Sequence, residues 1–334
     1  MHKQLQMALV VVACEMAILS VFAKNAGKKF HKLDGLPIVC ESVESIKGCE
    51  PSLLPKGLEF CLVWHDEFNG KSLDDSKWSY RTNFWGRTAH WFATPEDNAV
   101  EVKDGLLRMK LVKRPDGQFV SAQLQTGELI WDYPHEGSQK SFWPIPKRNK
   151  AKFMHRYGYY ECRCRLQQLP GWWVAFWMQT PMNGCSLDPR FSGIEHDIME
   201  SFDPGEMIPH CFHANGYGAD HLEFRSPRVS KNREGILLLD KNRFHTFGML
   251  WEPDGYTFYV DGRQHGPKVG QGEGEAVSAT EEFLLLTTEA KWYRNNRMTG
   301  KPVPELDAAF DFGDDFLVDF VRVYDIKKVE KIHE

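Results

Sequence analysis

Short runs of alternating apolar and polar residues fill the chain from Leu62 onward, and tight-turn dipeptides separate several of the runs. These dipeptides are Asp104-Gly105, Asp116-Gly117, Asp254-Gly255 and Asp261-Gly262. Alternation with a period of two predicts strands with one buried face, and Asp-Gly is a strong hairpin signal. No long amphipathic helical pattern interrupts the series. The sequence therefore predicts an all-β fold of two stacked antiparallel sheets.

The N-terminus carries the features of an export signal. Lys3 precedes an apolar run over residues 8–22, and Val21 and Ala23 have the small-residue spacing of a cleavage site. Glu15 interrupts the run, and no later stretch approaches the ~20 apolar residues that a membrane span needs. We therefore predict a signal peptide over residues 1–23 and no membrane span.

Export leaves the final location open between the periplasm, the cell exterior and the cell surface. The last of these follows if Val12-Ala13-Cys14 is a lipoprotein cleavage box and Cys14 is acylated. The leader would then be very short, so this is the less favoured alternative.

Two segments follow the leader. Residues 24–57 have little pattern and contain Pro37, Pro51 and Pro55, which predicts a linker or an N-terminal strap along the next domain. Residues 58–328 predict one domain, because all-β sandwiches often exceed about two hundred residues as a single unit. We expect a monomer.

Composition excludes some partners and favours others. The formal net charge of −5 provides no electrostatic footprint for nucleic acid. The 11 Trp and 22 Phe residues are an abundant supply of aromatic faces, which pack well against the apolar side of a sugar ring. More than half of them are expected in the core.

Three acids stand in GIEHDIMESF (193–202), a run that otherwise has the pattern of a buried strand. On a regular strand, Glu195 and Asp197 share one face, whereas Glu200 points to the other. One extra residue at Ile198 or Met199 would shift the phase and return Glu200 to the first face. Such bulges are common beside active sites. The sequence therefore predicts three carboxylates along one cleft.

Crowded carboxylates have protonation equilibria that move apart, and retaining glycoside hydrolysis needs that difference. We predict that Glu195 is the nucleophile, that Glu200 is the acid and base, and that Asp197 hydrogen-bonds the nucleophile. The alternative is a surface strand with solvated acids. Ile194 and Phe202 disfavour it, because a solvated strand does not need apolar neighbours.

The surrounding motifs resemble a known family. In chain order they are LVWHDEFNGKSLDDSKW (62–78), YGYYECRCRL (157–166), GWWVAFWMQ (171–179), the three-acid segment, FHTFGMLWEPDGYTFYVDG (244–262) and FLVDFVRVYD (316–325). This series resembles glycoside hydrolase family 16, the laminarinase, agarase and carrageenase group, in the branch whose acids read E-x-D-x-x-E. The resemblance covers about residues 60 to 326.

The resemblance implies a fold and an activity. The fold is a jelly-roll sandwich of two curved antiparallel sheets, similar to concanavalin A, with a substrate cleft on its concave face. The activity is endo-acting hydrolysis, with retention, of a β-linked polysaccharide of glucan or galactan type, with or without sulfate. No cofactor is required. A structural calcium ion on the convex face is a habit of the family that the sequence does not locate.

Strand alternation places Trp173, Ala175 and Trp177 on one face of their strand. The resemblance implies that this face lines the cleft and that the two indoles flank the reacting sugar. Ordinary sandwich core is the alternative. Family members often carry a His near the acid/base, and of His210 and His213 we choose His213 as substrate-binding.

Four further tryptophans are candidates for outer sugar subsites: Trp85, Trp91, Trp131 and Trp143. A basic run follows the last two, and its members are Lys147, Arg148, Lys150, Lys152, His155 and Arg156. If this segment rims the cleft, its cations could bind sulfate or carboxylate groups of a polysaccharide. We favour the simpler interpretation of a solvated basic loop, because charge runs usually face water.

The chain departs from the family pattern beside its acids. It has Ile194 where the family has Gly, His196 where it has a small apolar residue, and Val174 where it has Pro. The carboxylates are intact, so these changes bear on substrate preference more than on the reaction. A noncatalytic lectin-like module and a transglycosylase using the same residues remain the alternatives.

Of the eight cysteines, seven follow the predicted signal peptide, and this odd count leaves at least one free thiol. Cys40 and Cys49 form the best candidate disulfide. Cys162 and Cys164 alternate with arginines, which places both on one strand face as small core residues. A metal site there is the alternative, but no CxxC or His spacing supports it. We predict no metal ligands.

Overall fold

The structure is a computed structural model, and it describes residues 30–81, 92–127, 151–229, 234–290 and 313–327, together with the backbone of two short strands at 129–130 and 147–148. The predicted signal peptide and Cys14 lie outside the described residues. Among the described residues, no helix combines the length and apolar character needed to cross a membrane.

Strands dominate the described residues. In chain order they are β1 (Phe30–Lys32), β2 (Cys40–Val43), β3 (Ser52–Pro55), β4 (Phe60–Asp66), β5 (Ser79–Tyr80), β6 (Val100–Lys103), β7 (Leu106–Met109), β8 (Leu111–Lys113), β9 (Phe119–Ser121), β10 (Gln123–Gln125), β11 (Leu129–Ile130), β12 (Lys147–Arg148), β13 (Gly158–Arg165), β14 (Trp172–Gln179), β15 (Ile194–Ser201), β16 (Glu206–Met207), β17 (His210–Ala214), β18 (Leu222–Ser226), β19 (Ile236–Leu238), β20 (His245–Glu252), β21 (Gly255–Val260), β22 (Arg263–Gln264), β23 (Phe283–Ala290) and β24 (Phe316–Ile326). Short helical turns cover Leu33–Gly35, Pro95–Asp97 and Pro189–Ser192.

Two large antiparallel sheets form the body of the protein. The cleft sheet has the strand order β18-β17-β15-β14-β23-β10-β5. The outer sheet has the order β22-β21-β20-β13-β24-β7-β6, and β4 pairs with β24 as well. The predicted all-β jelly-roll sandwich is confirmed.

The main hydrophobic core lies between the two sheets, and strand alternation fills it. From β14 it receives Trp172, Val174, Phe176 and Met178, while Trp173, Ala175 and Trp177 belong to a separate cluster on the opposite face. Cys162 and Cys164 of β13 are fully buried in the main core, as their spacing predicts.

Two of the four Asp-Gly pairs form the expected two-residue turns. Gly255 instead already pairs with Glu252, and at Asp116-Gly117 only the glycine has positive φ. Asp104 and Gly105 both have positive φ, 55° and 72°, between β6 and β7. Asp261 and Gly262 repeat this, with φ of 49° and 71°, between β21 and β22. Two successive residues of positive φ make the turn whose twist matches that of paired strands.

The hairpin of β2 and β3 lies on the outer face of the outer sheet. Cys40 and Leu54 pack there with Tyr159 and Tyr324. The backbone of Leu53 is bonded at both polar atoms: its N–H donates to Glu161 Oε1 (2.6 Å), and its carbonyl accepts from Tyr159 OH (2.8 Å). This segment is therefore anchored to the sandwich by packing and by hydrogen bonds.

The predicted Cys40 to Cys49 disulfide is wrong, because all seven cysteines among the described residues are free thiols. Cys40 is buried in the outer hydrophobic cluster. Cys49 Sγ instead accepts a hydrogen bond from Asn69 Nδ2 at 3.9 Å. Spacing along the chain indicated proximity, but the β2-β3 hairpin directs the two thiols to different surroundings.

Two buried histidines support the strand that carries the acids. His210 Nδ1 donates to the carbonyl of Ile198 (2.7 Å), and His210 Nε2 lies 3.1 Å from His265 Nδ1. Burial lowers the pKa of His265 to about 4, and burial together with His265 lowers the pKa of His210 well below its usual value. Both rings are therefore neutral in the folded protein at neutral pH.

These histidines predict a loss of stability in mild acid. Between pH 6.5 and about 4 the unfolded chain protonates His265 while the folded protein does not, so the free energy of unfolding falls as pH falls. His265 contributes up to about 3 kcal/mol of this loss. Urea unfolding across that pH range should show a shallower dependence for His265→Gln than for wild type. Equal pH dependence of the two proteins would contradict the prediction.

Candidate active site

A bulge in β15 brings the three acids to one face of the cleft sheet. Opposite β14, Met199 pairs with Phe176 and Asp197 pairs with Trp177, so Ile198 is the extra residue. Ile198 and Met199 both enter the main core. Glu195, Asp197 and Glu200 therefore line the same cleft, with exposed fractions of 6%, 5% and 8%. The predicted bulge is confirmed.

Tryptophans from the neighbouring strand form the rest of the wall. Trp173 and Trp177 line the cleft beside the acids, with exposed fractions of 8% and 7%. Trp173 stacks on Phe202, with ring centroids 4.6 Å apart. Trp177 Nε1 donates to Thr287 Oγ1 at 3.0 Å. Both indoles are held in place before any sugar binds.

Glu195 sits in a hydrogen-bonded chain that ends at a buried cation. Gln179 Nε2 donates to Glu195 Oε2 (2.8 Å), and the hydroxyl of Tyr217 donates to the same oxygen. Arg81 Nη2 donates to Gln179 Oε1 (2.9 Å), and its guanidinium lies 5.2 Å from the ring centroid of Trp177. Donors and a cation on one side favour the ionised form of Glu195.

The charge of Arg81 persists despite its burial. Burial lowers the pKa of Arg81 to about 9, and Glu195, Tyr217 and Glu289 oppose this shift. The guanidinium therefore remains protonated at neutral pH. Burial, followed by the charge of Glu195, raises the pKa of Tyr217 well above its usual value, so its hydroxyl keeps the proton that it donates.

His213 lies at the edge of the cleft, where β17 pairs with β15. Its Nε2 is 3.5 Å from Asp197 Oδ2 and 4.0 Å from Glu195 Oε1. Its Nδ1 is 2.8 Å from His221 Nε2. His210, the other histidine considered from the sequence, is buried beneath the acid strand instead. The structure therefore places His213 and not His210 among the acids.

His196, a departure from the family pattern, is accommodated in the core. It is fully buried and its Nδ1 lies 2.6 Å from Oε2 of the equally buried Glu282. Its ring lies 4.4 Å from that of Tyr256. This side chain points away from the cleft, so it can influence the acids only through the strand that they share.

Five residues near Glu195 were not predicted from the sequence: Arg81, Gln179, Tyr217, Thr287 and Glu289. Gln179 could have been found, because it continues the alternation of Trp173 and Trp177 by one more step. Thr287 and Glu289 lie on β23, where they pair with Ala175 and Trp173 of β14. A single sequence does not reveal which strands pair. Arg81 and Tyr217 follow no pattern.

The candidates for outer subsites, Trp85, Trp91, Trp131 and Trp143, lie outside the described residues. So do the side chains of Lys147, Arg148 and Lys150. The rest of the basic run bonds to the protein itself: Lys152 Nζ donates to the carbonyl of Trp78 (2.8 Å), His155 Nε2 lies 2.8 Å from Asp325 Oδ1, and Arg156 donates to the carbonyl of Ala279. Lys152 and His155 are partly buried, which corrects the interpretation of a solvated loop for these two side chains, whereas Arg156 is exposed as that interpretation expects.

The resemblance implies a calcium ion, but the described part of the chain has no cluster of three carboxylates that could bind one. Two groups of three His, Cys, Asp or Glu side chains lie close enough to share an ion there: Asp197 with Cys211 and His213, and His213 with His221 and Glu223. Both include nitrogen or sulfur ligands, whereas calcium takes oxygen. These groups do not fit calcium.

Fold and site together define a class of protein. A jelly roll whose cleft combines clustered carboxylates with tryptophans is the arrangement of a carbohydrate-active protein. Residues 63–326 match the family model described as "Beta-porphyranase A-D, GH16 domain". The chain therefore belongs to glycoside hydrolase family 16, in the group that this description names.

Characterised relatives are similar at lower identity. The chain is 27% identical over 288 residues to glucan endo-1,3-beta-glucosidase A1 of Niallia circulans, covering 79% of this chain and 37% of that protein. It is 27% identical over 255 residues to kappa-carrageenase of Pseudoalteromonas carrageenovora, covering 69% of this chain and 56% of that protein. The chain thus spans between about a third and about half of the length of these relatives.

Solved structures show the same fold. The laminarinase catalytic domain of Thermotoga petrophila superposes with a TM-score of 0.56 at 22% identity, covering 81% of this chain and all of that one. The laminarinase of Rhodothermus marinus superposes with a TM-score of 0.56 at 21% identity, and the superposition covers 82% of this chain and 100% of that one.

Tyr217→Phe tests the hydroxyl that touches Glu195. Loss of a hydrogen bond to a charged group costs about 1.5–3 kcal/mol, so kcat/KM should fall by about 10–100-fold. Steady-state kinetics against Tyr259→Phe, which alters a tyrosine on the outer face, would measure this. Equal rates for the two variants would remove Tyr217 from the site.

Proposed function

We propose that the protein is an exported, retaining endo-β-glycosidase that cleaves a galactan of the porphyran class. One observation carries the reaction: the bulge at Ile198 brings Glu195, already bonded to Gln179 and Tyr217, onto the same cleft face as Asp197 and Glu200. Buried carboxylates in a row are costly unless a reaction uses them.

Glu195 acts as the nucleophile. Its carboxylate attacks the anomeric carbon, the glycosidic bond breaks, and Glu200 transfers its proton to the departing oxygen. A covalent glycosyl-enzyme results. Glu200, now ionised, takes a proton from water, and the water oxygen attacks the same carbon and releases Glu195. Two displacements at one carbon retain its configuration.

Asp197 and the tryptophans assist this chemistry. Asp197 stands between the two glutamates along β15 and lies 3.5 Å from His213 Nε2, while Arg81 places a positive charge behind Glu195. Trp173 and Trp177 offer aromatic faces for the sugar at the reacting subsite, and His213 provides a hydrogen-bonding edge to it.

The substrate class follows from the family model, whose description names β-porphyranases. Glucans are the competing class, since the relative from Niallia circulans is a glucan endo-1,3-beta-glucosidase. A lectin-like module is disfavoured because binding alone does not need the three carboxylates. A transglycosylase would use the same residues and differ in its acceptor.

Product analysis on a panel of polymers tests the proposal. Wild type is incubated with porphyran, agarose, kappa-carrageenan and laminarin, and the products are separated by size and followed by NMR from the first turnover. We expect oligosaccharides from porphyran whose new reducing ends appear first in the β configuration.

The alternatives give different results on the same panel. Cleavage of laminarin alone would overturn the galactan assignment and keep the reaction. Retention of one polymer on an affinity gel without any cleavage would favour the lectin-like module. Products longer than the substrate, formed in preference to reducing ends, would identify a transglycosylase.

A further inference from the structure

A thiol, an imidazole and one of the three acids converge at the edge of the cleft. Cys211 Sγ lies 3.4 Å from His213 Nε2, and Asp197 Oδ2 lies 3.5 Å from the same nitrogen. All three ligand atoms lie within 4.8 Å of one another. The proposed reaction gives Cys211 no task, yet thiolate, imidazole and carboxylate are the three ligand types of zinc sites.

The spacing suits a tetrahedral ion. Ligand atoms that lie 2.0–2.3 Å from a tetrahedral zinc ion are about 3.3–3.6 Å from one another. The two distances from His213 Nε2 fall in that range. Two of the three ligand pairs therefore already have the spacing of a zinc site, and the third pair lies within 4.8 Å.

The sheet fixes this arrangement from beneath. Asp197 of β15 pairs directly with Cys211 of β17, and His213 follows two residues later on the same face. Cys211 is 1% exposed and belongs to none of the hydrophobic clusters, while Asp197 and His213 line the cleft. The cleft is thus the route to the site.

His221 completes the surroundings of the ligand histidine. His213 Nδ1 and His221 Nε2 are 2.8 Å apart, and a metal-bound histidine usually holds its other ring nitrogen in such a hydrogen bond. When Nδ1 donates to His221, the lone pair of Nε2 faces Asp197 and Cys211. The ring is therefore oriented for binding at Nε2.

The second group, His213 with His221 and Glu223, is the weaker candidate. The 2.8 Å between its two ring nitrogens is a hydrogen-bond distance and is shorter than the about 3.3 Å between two ligands of one zinc ion. These histidines would have to separate before an ion could bind both.

We propose that Zn²⁺ binds Asp197, Cys211 and His213 and reversibly inhibits the enzyme. On binding, the thiol of Cys211 loses its proton to solvent and forms the Zn–S bond, and water takes the fourth position. The ion then occupies two residues of the cleft wall and neutralises Asp197 beside Glu195. The inhibition, though not the binding, rests on the proposed function.

Metal binding is measured without substrate. The metal-free full chain is titrated with Zn²⁺ in competition with a chromophoric chelator, and separately with Co²⁺. We expect one tight site, and a Co²⁺ adduct with the near-ultraviolet charge-transfer band of a thiolate ligand. Cys211→Ala should weaken affinity by more than the about 10–100-fold that loss of an outer-shell partner costs, and His221→Ala should weaken it by that amount.

Two variants serve as matched controls. Cys61→Ala removes the exposed thiol of β4, and Glu223→Gln disables the second group, so both should bind like wild type. Equal affinity of Cys211→Ala and Cys61→Ala would overturn the site, as would a wild-type Co²⁺ adduct without the thiolate band. The spectrum of wild type decides the question even if Cys211→Ala fails to fold.

Activity is the second readout. Saturating Zn²⁺ should suppress hydrolysis by wild type, a chelator should restore it, and Cys211→Ala should stay active at the same concentration. Activity of metal-saturated wild type would overturn the inhibition. Tight binding by a protein that cleaves no polymer would overturn the proposed function and leave the site standing.

Discussion

Glu195→Gln is expected to lower kcat by on the order of 10⁴-fold or more, because an amide cannot form the glycosyl-enzyme. The substitution keeps the size and planar shape of the side chain beside Gln179 and Tyr217. Binding of the polymer, measured by affinity electrophoresis, should therefore change little. Rates of reducing-end release from the preferred polymer provide the comparison.

Glu101→Gln is the matched control for this substitution. Glu101 lies on the outer sheet, where it pairs with Lys110 at 2.9 Å, away from the cleft. The control should cleave at the wild-type rate. A Glu195→Gln protein with kcat within about tenfold of wild type, a difference of about 1.4 kcal/mol in barrier, would show that Glu195 is not the nucleophile.

Glu200→Ala is expected to lower kcat by about 10²–10⁴-fold, the contribution of a positioned general acid and base. An aryl glycoside with a good leaving group should be less affected in its first step, because such a group departs without protonation. Azide should then accelerate turnover, since an anion can attack the glycosyl-enzyme without help from a base. The product should be the β-glycosyl azide, followed by NMR.

Azide also distinguishes the two glutamates. In Glu195→Ala, azide replaces the missing nucleophile and attacks the substrate directly, so the product should have the α configuration. An α-azide from Glu200→Ala and a β-azide from Glu195→Ala would exchange the two assignments. No azide product from either variant would contradict the covalent mechanism.

Local patterns predicted the elements well. Alternation in GWWVAFWMQ separates the core residues of β14 from Trp173 and Trp177, because successive side chains on a strand must point to opposite faces. The same rule, applied to the acids, exposed a mismatch in phase that only an extra residue could correct. The structure contains that residue at Ile198.

Neighbours from distant strands could not be predicted. Arg81 bonds to Gln179, which lies nearly one hundred positions later in the chain. Thr287 accepts a hydrogen bond from Trp177, which lies 110 positions earlier. Nothing local in the sequence marks either contact. The disulfide prediction failed for the same reason, because closeness in sequence did not determine the direction of the two thiols.

The sequence by itself determined the strands, their buried faces, the tight turns, and the three acids with the bulge that aligns them, since all of these follow from side-chain period and turn chemistry over a few residues. Only the tertiary structure decided what surrounds the acids: the buried guanidinium behind Glu195, the hydroxyl of Tyr217, and the thiol beside Asp197. Those contacts depend on which strands pair and in what register, and that choice is made by packing of the whole sandwich.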